Sequence, residues 1–536
     1  MTTCGEALVR ILEGYGVDLV FGIPGVHTVE LYRGLSRAGM RHVSPRHEQG
    51  AGFMADGYAR ATGRPGVCFV ITGPGLTNIA TAMGQALRDS VPMLVISSVN
   101  RTQQLGLGEG RLHELADQRG LAAGVSISSN TLMCVDALPQ LLARAFGVFA
   151  SQRPGPVHIE IPLDVLAAPA DHLDTEPWAL PSAPAPAPEA LACAIALLKG
   201  AERPLVAIGG GAVGAAAEVA RLAEMLDAPV VNTTHAKGVV PRDHALAVGG
   251  SGSCQAVREA FRSADVVLAV GTELSETDYD LWLTGGMEIG GTLIRVDIEA
   301  AQLSRNFQPG LAICSDARQA LAALCAALAN EPHAERRGRA RAQELRDALH
   351  RARDAHYAAF FSAIEDSLPG VIIAGDSTQP TYYASLHYET SEPRRYFHSA
   401  SGFGTLGYAL PAAVGAKLGR PERPVVALVG DGGAQFSLAE LASAVQAKLS
   451  LSVLVWHNEG YGEIRQSFAK EGVGPIGVDI QTPDFLALAR SFGCAACRAD
   501  DLDALRRALR EAREAPFPTL IEVRESEFTG AHTAMS

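Results

Sequence analysis

Two oxygen-bearing side chains follow two apolar runs in the last third of the chain. Residues 425–429 are all apolar, as expected for a strand buried on both faces. Gly430 and then Asp431 follow them. A helical pattern over 437–447 leads to a second, mostly apolar run at 451–456, which ends before His457 and Asn458. Because parallel strands of a βαβ unit end at the same edge of a sheet, we expect Asp431 and Asn458 to lie close together. Carboxylate and amide oxygens suit Mg²⁺, which also takes phosphate oxygens.

Three glycines flank Asp431, in the order Gly430-Asp431-Gly432-Gly433. Glycines let the backbone approach a diphosphate closely, and a helix N-terminus nearby favours an anion. An Asp-Gly pair alone is also a common turn. The asparagine one βαβ unit later, followed by Gly460-Tyr461-Gly462, makes the pattern much more specific for a metal–diphosphate site.

Two further segments hold candidate residues. Glu48 lies in RHEQGAGFMADGYARATG, at the start of a Gly- and Ala-rich helical segment with little charge, so we expect its side chain to point into an interface. Read alone, it is also compatible with a single acid in a surface turn. The segment 399–416, SASGFGTLGYALPAAVGA, reads by itself as a glycine-rich helix start.

The elements that must position these residues fall into three α/β blocks. Strand-like apolar runs alternate with helical patterns over 1–165, 190–330 and 355–536, and the Pro/Ala stretch at 181–190 reads as a stiff linker. Such alternation predicts an α/β fold of three doubly wound parallel-sheet domains, whose ligands bind beyond the carboxyl ends of the strands.

Composition excludes some classes of function. The net charge is −13 and the pI is about 5.6, which argues against a nucleic-acid partner and remains compatible with a cationic substrate. No stretch of 18 apolar residues is present, so we expect no membrane span. The first residues form an amphipathic helical pattern without the features of a signal peptide, so we expect a cytoplasmic protein.

These motifs together resemble the acetolactate synthase-like family of thiamine-diphosphate enzymes, in the order pyrimidine-binding, central and diphosphate-binding domain. GDGG with the later Asn458 resembles the family's metal and diphosphate motif. The resemblance implies Mg²⁺ held by Asp431, Asn458 and the Gly460 carbonyl, and thiamine diphosphate held by Gly430, Gly432, Gly433 and Tyr461. His457 departs from the family's usual first asparagine, at a position that does not ligate the metal.

The RHEQGA and GPGLTN elements resemble the family's pyrimidine-binding domain, in which Glu48 matches the activating glutamate. Its implied role is to hydrogen-bond the aminopyrimidine, so that the cofactor forms its ylid nucleophile. Segment 399–416 resembles the family element in which the Gly404 carbonyl accepts from the exocyclic amine and Leu406 supports the bent cofactor. In this family the two halves of the site come from different subunits, which implies a homodimer or homotetramer.

The resemblance implies attack on a 2-oxo acid with loss of CO₂, and two outcomes stay open. The first is an aldehyde from a simple decarboxylase; the second is a ligated product from an acetolactate synthase-like carboligase. Leu112-His113-Glu114 stands where carboligases often carry Phe-Gln-Glu, so His113 is either a proton donor or a neutral spacer. Glu463 either contacts substrate or is an exposed acid at a helix start. A binding protein without turnover is disfavoured, because Glu48, Asp431 and Asn458 are all present.

The central block bears on cofactor and substrate. GSGSC at 250–254 and GTELSETDYD at 271–280 do not match the FAD-binding segments of acetolactate synthases, which makes FAD doubtful. Glu273, Glu276, Asp278 and Asp280 make the second segment acidic, which fits either a solvated loop or recognition of a guanidinium tail. The N-terminal run from Cys4 to Leu35 resembles the 2-ketoarginine (5-guanidino-2-oxopentanoate) decarboxylases of arginine catabolism, which implies 4-guanidinobutanal and CO₂ as products.

Overall fold

The computed structural model describes residues 1–279, 285–330 and 336–528. It contains three parallel sheets in chain order, each flanked by helices on both faces. This arrangement confirms the predicted α/β class with three doubly wound domains. The domain boundaries expected at 165, 190, 330 and 355 stay a prediction.

The N-terminal sheet has six strands in the order β2-β1-β3-β4-β6-β5, and all of its strand pairs are parallel. Its strands are Leu19–Gly22 (β1), Arg41–Val43 (β2), Gly66–Val70 (β3), Met93–Val99 (β4), Ser128–Thr131 (β5) and Pro156–Pro162 (β6). Its helices are Cys4–Gly14 (α1), Val29–Leu35 (α2), Glu48–Thr62 (α3), Pro74–Arg88 (α4), Gln118–Ala123 (α5), Leu138–Ser151 (α6) and Leu163–Leu166 (α7).

The central sheet has five strands in the order β11-β10-β9-β7-β8. Its strands are Pro204–Ile208 (β7), Val230–Asn232 (β8), Val266–Val270 (β9), Thr292–Asp297 (β10) and Leu311–Cys314 (β11). Its helices are Pro188–Gly200 (α8), Ala216–Leu226 (α9), Gln255–Ser263 (α10), Glu276–Tyr279 (α11) and Ala317–Leu328 (α12).

The C-terminal sheet has six strands in the order β13-β12-β14-β15-β17-β16. Its strands are Ile372–Gly375 (β12), Tyr396–His398 (β13), Val425–Gly430 (β14), Ser452–His457 (β15), Ala495–Arg498 (β16) and Thr519–Arg524 (β17). The helices that follow the central domain in the chain are Gly338–Arg351 (α13), Ala355–Ser367 (α14), Gln379–His387 (α15), Ala409–Gly419 (α16), Asp431–Ala434 (α17), Glu440–Gln446 (α18), Gly462–Lys470 (α19), Phe485–Ser491 (α20) and Leu502–Glu514 (α21).

The inner strands of the C-terminal sheet explain how the predicted metal ligands are positioned. Every residue of β14 and β15 is buried, because helices cover both faces of the sheet. The helix expected over 437–447 is shorter, from Glu440 to Gln446, because the turn before it closes through bonds such as Glu440 N–H to the Ser437 carbonyl. The two strands pair in parallel, so Asp431 and Asn458 leave the same sheet edge.

Helices α3 and α16 pack closely and join the N-terminal to the C-terminal domain. A Cβ added at Gly57 would lie 2.0 Å from the Ala412 carbonyl oxygen, and one at Gly415 would lie 1.8 Å from the Met54 carbonyl oxygen. Both glycines therefore allow the two backbones to touch. Within the described residues, no helix is long and apolar enough to cross a membrane.

Candidate functional site

Three oxygen atoms converge at the carboxyl ends of β14 and β15. The Asn458 side-chain oxygen lies 3.0 Å from the Gly460 carbonyl oxygen and 3.2 Å from Asp431 Oδ1. The other carboxylate oxygen, Asp431 Oδ2, accepts from the Gly460 amide at 2.9 Å. The amide group of Asn458 donates from Nδ2 to Gln379 Oε1 at 3.1 Å, which orients its oxygen toward the other two.

Acceptor oxygens this close need either a proton or a cation between them. Turning the Asn458 amide round would make hydrogen bonds to Gly460 and Asp431, but it would place the amide oxygen 3.1 Å from Gln379 Oε1. An octahedral Mg²⁺ with oxygens at about 2.1 Å brings neighbouring ligands to about 3.0 Å from each other. The observed spacing therefore suits a small hard cation, and the donor set is the one that such a cation prefers.

The glycines after β14 allow side chains of neighbouring turns to pack against the backbone beside this cluster. A Cβ at Gly432 would meet the Tyr461 ring at 2.7 Å, and one at Gly433 would come within 3.2 Å of Asp376 Oδ1. Burial raises the pKa of Asp431, and a bound cation would favour its charged form instead. Because Gly432 and Gly433 lack side chains, Tyr461 and Asp376 pack directly against this backbone.

Sequence reasoning missed two residues at this edge, Asp376 and Gln379. Both follow β12, and Gln379 holds the Asn458 amide while Asp376 accepts from the backbone amides of Ser377 and Ala409. Burial raises the pKa of Asp376 to about 6. The available signal was the same one that identified Asp431, because Gly375-Asp376-Ser377 also follows an apolar run.

His457, the residue that departs from the family motif, lies behind the oxygen cluster. Its Nδ1 is 2.7 Å from Glu522 Oε1, and its Nε2 is 3.0 Å from Thr482 Oγ1. Both ring nitrogens thus have partners other than the Asp431 carboxylate, whose Oδ2 is 3.7 Å away. The imidazole therefore belongs to a hydrogen-bond network next to the cluster and does not contribute a ligand atom to it.

Glu48 is the first residue of α3 and is buried. Its Oε2 accepts from Asn78 Nδ2 at 2.9 Å, and Asn78 lies in the first turns of α4, in the GPGLTN element. The sequence identified this element but not the contact. Among the described residues, no hydrogen bond or ion pair joins Glu48 to Asp431, Asn458 or Gly460 within the chain.

His113 lies at the same edge of the N-terminal sheet as the start of α4. It is half-buried, has a φ of 63°, and its carbonyl closely approaches Gly73. Its ring meets the His27 ring edge-on, with centroids 5.1 Å apart, and His27 Nδ1 is 3.0 Å from Thr72 Oγ1. Burial, with His113 as a further contribution, lowers the pKa of His27. No sequence spacing predicted this second histidine.

Gly404 and Leu406 lie on the connection between β13 and α16. Gly404 is exposed with a φ of 71°, and Leu406 is half-buried. The predicted substrate residue Glu463 is half-buried in the first turn of α19, three residues after Gly460 and directly after the turn that contains Tyr461. Glu463 thus lies close to the oxygen cluster along the chain, and its contact with substrate stays a prediction.

The acidic central segment lies elsewhere, beside a cavity of about 420 Å³ between the three domains. Asp278 lines this cavity and burial raises its pKa to about 6, whereas Glu276 is exposed and does not line it. Glu273 also lines it but pairs with Arg153. None of the predicted metal ligands lines this cavity. Asp280 lies outside the described residues.

Three family models match the chain in order. They are the thiamine pyrophosphate enzyme N-terminal TPP-binding domain over residues 2–121, the central domain over 191–324 and the C-terminal TPP-binding domain over 376–523. The matched ranges contain Glu48 in the first and the whole oxygen cluster in the last. Thiamine diphosphate binding is thereby supported by the domains that carry the predicted site.

Several known proteins are similar to nearly the whole chain. A probable 2-ketoarginine decarboxylase from Pseudomonas aeruginosa is 47% identical, over 98% of this chain and 94% of its own length. The acetolactate synthase isozyme 1 large subunit of Escherichia coli is 32% identical over 97% and 94%, and the large subunit from Parasynechococcus marenigrum is 33% identical over 96% and 86%. The chain therefore belongs to the thiamine pyrophosphate enzyme family, within its acetolactate synthase-like branch and with a decarboxylase as its more similar relative.

Proposed function

We propose that the protein is a Mg²⁺- and thiamine-diphosphate-dependent decarboxylase of 5-guanidino-2-oxopentanoate, which releases 4-guanidinobutanal and CO₂. The observation that carries the proposal is the convergence of the Asp431, Asn458 and Gly460 oxygens at one sheet edge. The substrate assignment is supported by the 47% identity to a probable 2-ketoarginine decarboxylase over almost the whole chain.

The metal would be held by Asp431 Oδ1, Asn458 Oδ1 and the Gly460 carbonyl, and the turn of Gly430, Gly432 and Gly433 would contact the diphosphate through its backbone. When bound, thiamine diphosphate supplies the carbon nucleophile and the electron sink for loss of CO₂. Gln379 contributes by holding the Asn458 amide so that its oxygen, not its nitrogen, faces the metal.

Glu48 would hold the aminopyrimidine through its carboxylate. Asn78 keeps this carboxylate in place by donating to Oε2, which leaves Oε1 for the ligand. A buried carboxylate with a fixed orientation is suited to exchange a proton with a ring nitrogen. The proposed decarboxylation does not require FAD.

A homodimer would complete the site, with Glu48 of one subunit facing the oxygen cluster of the other. Two features of the described residues support this. No hydrogen bond or ion pair joins Glu48 to the cluster within the chain, and large apolar side chains of the C-terminal domain are exposed: Phe436 by 58%, Phe403 by 50% and Ile464 by 47%. Burying them would favour association.

The guanidinium end of the substrate would pair with Glu463, because a planar guanidinium binds a carboxylate with two parallel hydrogen bonds. The position of Glu463 directly after the cluster supports this choice over Glu276 and Asp278, which lie on the central domain. His113 would serve either as a proton donor or as a spacer at the N-terminal sheet edge.

The proposal is tested by an aldehyde-trapping assay with purified protein, thiamine diphosphate and Mg²⁺. 5-Guanidino-2-oxopentanoate and pyruvate are supplied as substrates in separate reactions. We expect CO₂ and 4-guanidinobutanal from the first substrate and almost no reaction with the second. The Glu463→Gln variant keeps the size of the side chain and removes its charge, so we expect the KM for the guanidino substrate to rise about tenfold or more.

The matched control is a 2-oxo acid of similar length with an uncharged end, whose KM should not change in Glu463→Gln. Acetolactate formed from pyruvate, with the guanidino substrate ignored, would instead identify an acetolactate synthase-like carboligase. An unchanged KM for the guanidino substrate would remove Glu463 from substrate recognition.

A further inference from the structure

The connection between β13 and α16 is fixed by a buried glutamine from the N-terminal domain. Gln85 is completely buried on α4, and its Oε1 accepts from Thr405 Oγ1 at 2.9 Å and from the Thr405 backbone amide at 3.3 Å. Its Nε2 donates to the Ser401 carbonyl at 3.3 Å. One side chain thus holds both ends of the segment 401–405, which contains Gly404.

The orientation of Gln85 is itself determined by a charged neighbour. Gln85 Nε2 also donates to Asp89 Oδ2 at 2.6 Å, and the same carboxylate oxygen accepts from Arg60 at 2.6 Å. A carboxylate accepts and cannot donate when ionised, so the amide nitrogen must face Asp89 and the amide oxygen must face Thr405. The buried ion pair therefore selects which atom of Gln85 faces Thr405.

This contact determines the direction of the Gly404 carbonyl. The Gly404 carbonyl and the Thr405 amide belong to one planar trans peptide, so they point in opposite directions. Because the Thr405 amide points to Gln85, the Gly404 carbonyl must point away from it. A second bond, from Ser399 Oγ to the Thr405 carbonyl at 2.6 Å, fixes the following peptide. Gly404 alone, with a positive φ and no neighbour near its absent Cβ, would not keep this orientation.

We propose that Gln85 and Thr405 are positioning residues for the cofactor: they aim the Gly404 carbonyl at the amine of the aminopyrimidine and hold Leu406 beside it. This inference rests on the proposed function. It assigns a role to Gln85 that follows from its hydrogen bonds, since Gln85 lies on the N-terminal domain, 320 residues from Thr405 in sequence.

The test compares Thr405→Val, which has the same shape but no hydroxyl, with Thr405→Ser, which keeps the hydroxyl. Binding of thiamine diphosphate in the presence of Mg²⁺ is measured by titration calorimetry, and the KM for the 2-oxo acid is measured separately. We expect Thr405→Val to bind thiamine diphosphate about five- to tenfold more weakly, with Thr405→Ser close to the wild type and the substrate KM unchanged in both.

Gln85→Met serves as the second variant, because it keeps the length of the side chain and removes all of its hydrogen bonds; we expect a larger loss of cofactor affinity. Thr62→Val is the control, since Thr62 Oγ1 bonds only nearby backbone: it donates to the Tyr58 carbonyl at 2.7 Å and accepts from the Arg64 amide at 3.1 Å. Equal cofactor affinity in Thr405→Val and the wild type would overturn the inference, as would equal weakening in Thr405→Val and Thr405→Ser. A wild type that binds no thiamine diphosphate would instead overturn the proposed function.

Discussion

The N-terminal and C-terminal sheets have the same topology but carry different residues after equivalent strands. Numbered within each domain, both have the strand order 2-1-3-4-6-5. The helices that follow the second strand, α3 and α16, are equivalent in this order, and they pack against each other through Gly57 and Gly415. The molecule therefore contains two copies of one architecture in face-to-face contact.

The difference lies in the turns after equivalent strands. After the second strand, the N-terminal domain presents Glu48, whereas the C-terminal domain presents Gly404 and Leu406. After the third strand, the N-terminal domain presents Asn78, which orients Glu48, whereas the C-terminal domain presents Asp431. The comparison teaches that the fold supplies the positions and that a few turn residues supply the chemistry.

The largest expected effects distinguish the two sheets: a variant in the N-terminal sheet should lose activity, and a variant in the C-terminal sheet should lose cofactor binding. Glu48→Gln should reduce decarboxylation by about 10²–10⁴-fold, because the amide cannot exchange a proton with the aminopyrimidine, while cofactor binding is retained. Asp431→Asn should weaken Mg²⁺-dependent cofactor binding by about a hundredfold, because a charged metal ligand is lost. Steady-state rates and calorimetric titrations measure the two effects.

Each of these variants is the control for the other, since both replace a carboxylate by an amide of the same shape. Full activity of Glu48→Gln would rule out its role in forming the nucleophile. Equal loss of cofactor binding in both variants would show that the two carboxylates do not have different roles.

The contact between the equivalent helices gives the second effect. Gly57→Ala and Gly415→Ala each place a methyl group against a backbone carbonyl that cannot move freely, so we expect each to lower the free energy of unfolding by about 3 kcal/mol. Denaturant unfolding measures the change. Gly200→Ala is the control, because its added Cβ has no neighbour within 4 Å. If only one of the two variants were destabilised, the contact would not be symmetric.

The smallest effect concerns a buried histidine of the N-terminal sheet. His158 bonds Ser97 and Ser129, and burial lowers its pKa to about 3. Its ordinary pKa is about 6.5, so below that pH the unfolded chain binds a proton that the folded chain does not, and stability falls as the pH decreases toward 3.

At pH 5 this proton should cost the folded state about 2 kcal/mol relative to pH 7. Unfolding at both pH values should show a smaller decrease in His158→Gln than in the wild type. His172→Gln is the control, because His172 is exposed. An equal decrease in wild type and His158→Gln would mean that His158 is protonated in the folded protein.

Much of the fold and part of the site could be predicted from local sequence. The apolar runs before Asp431 and Asn458 predicted the parallel strands, since a strand buried on both faces must be apolar throughout. Because parallel strands of a βαβ unit end at the same edge of a sheet, Asp431 and Asn458 could also be predicted to lie at one edge. The helix over 437–447 was less accurate, because bonds between neighbouring residues shorten it and no composition signal marks them.

The supporting residues could not be predicted in this way. Gln379, His27 and Gln85 lie in ordinary helix or loop sequence, and each acquires its role only from a partner on another element. For the acidic segment 271–280, the choice between a solvated loop and substrate recognition stays a prediction, and only the structure shows that Asp278 lines the cavity between the domains.

By itself, the sequence determined the three-sheet α/β class, the family and the residue types of the oxygen cluster, because strand burial, turn glycines and metal-ligand chemistry act over short distances along the chain. Only the tertiary structure decided which side chains hold Glu48, Asn458 and Gly404 in place. Hydrogen bonds require atoms within about 3 Å, and packing of distant elements alone brings such atoms together.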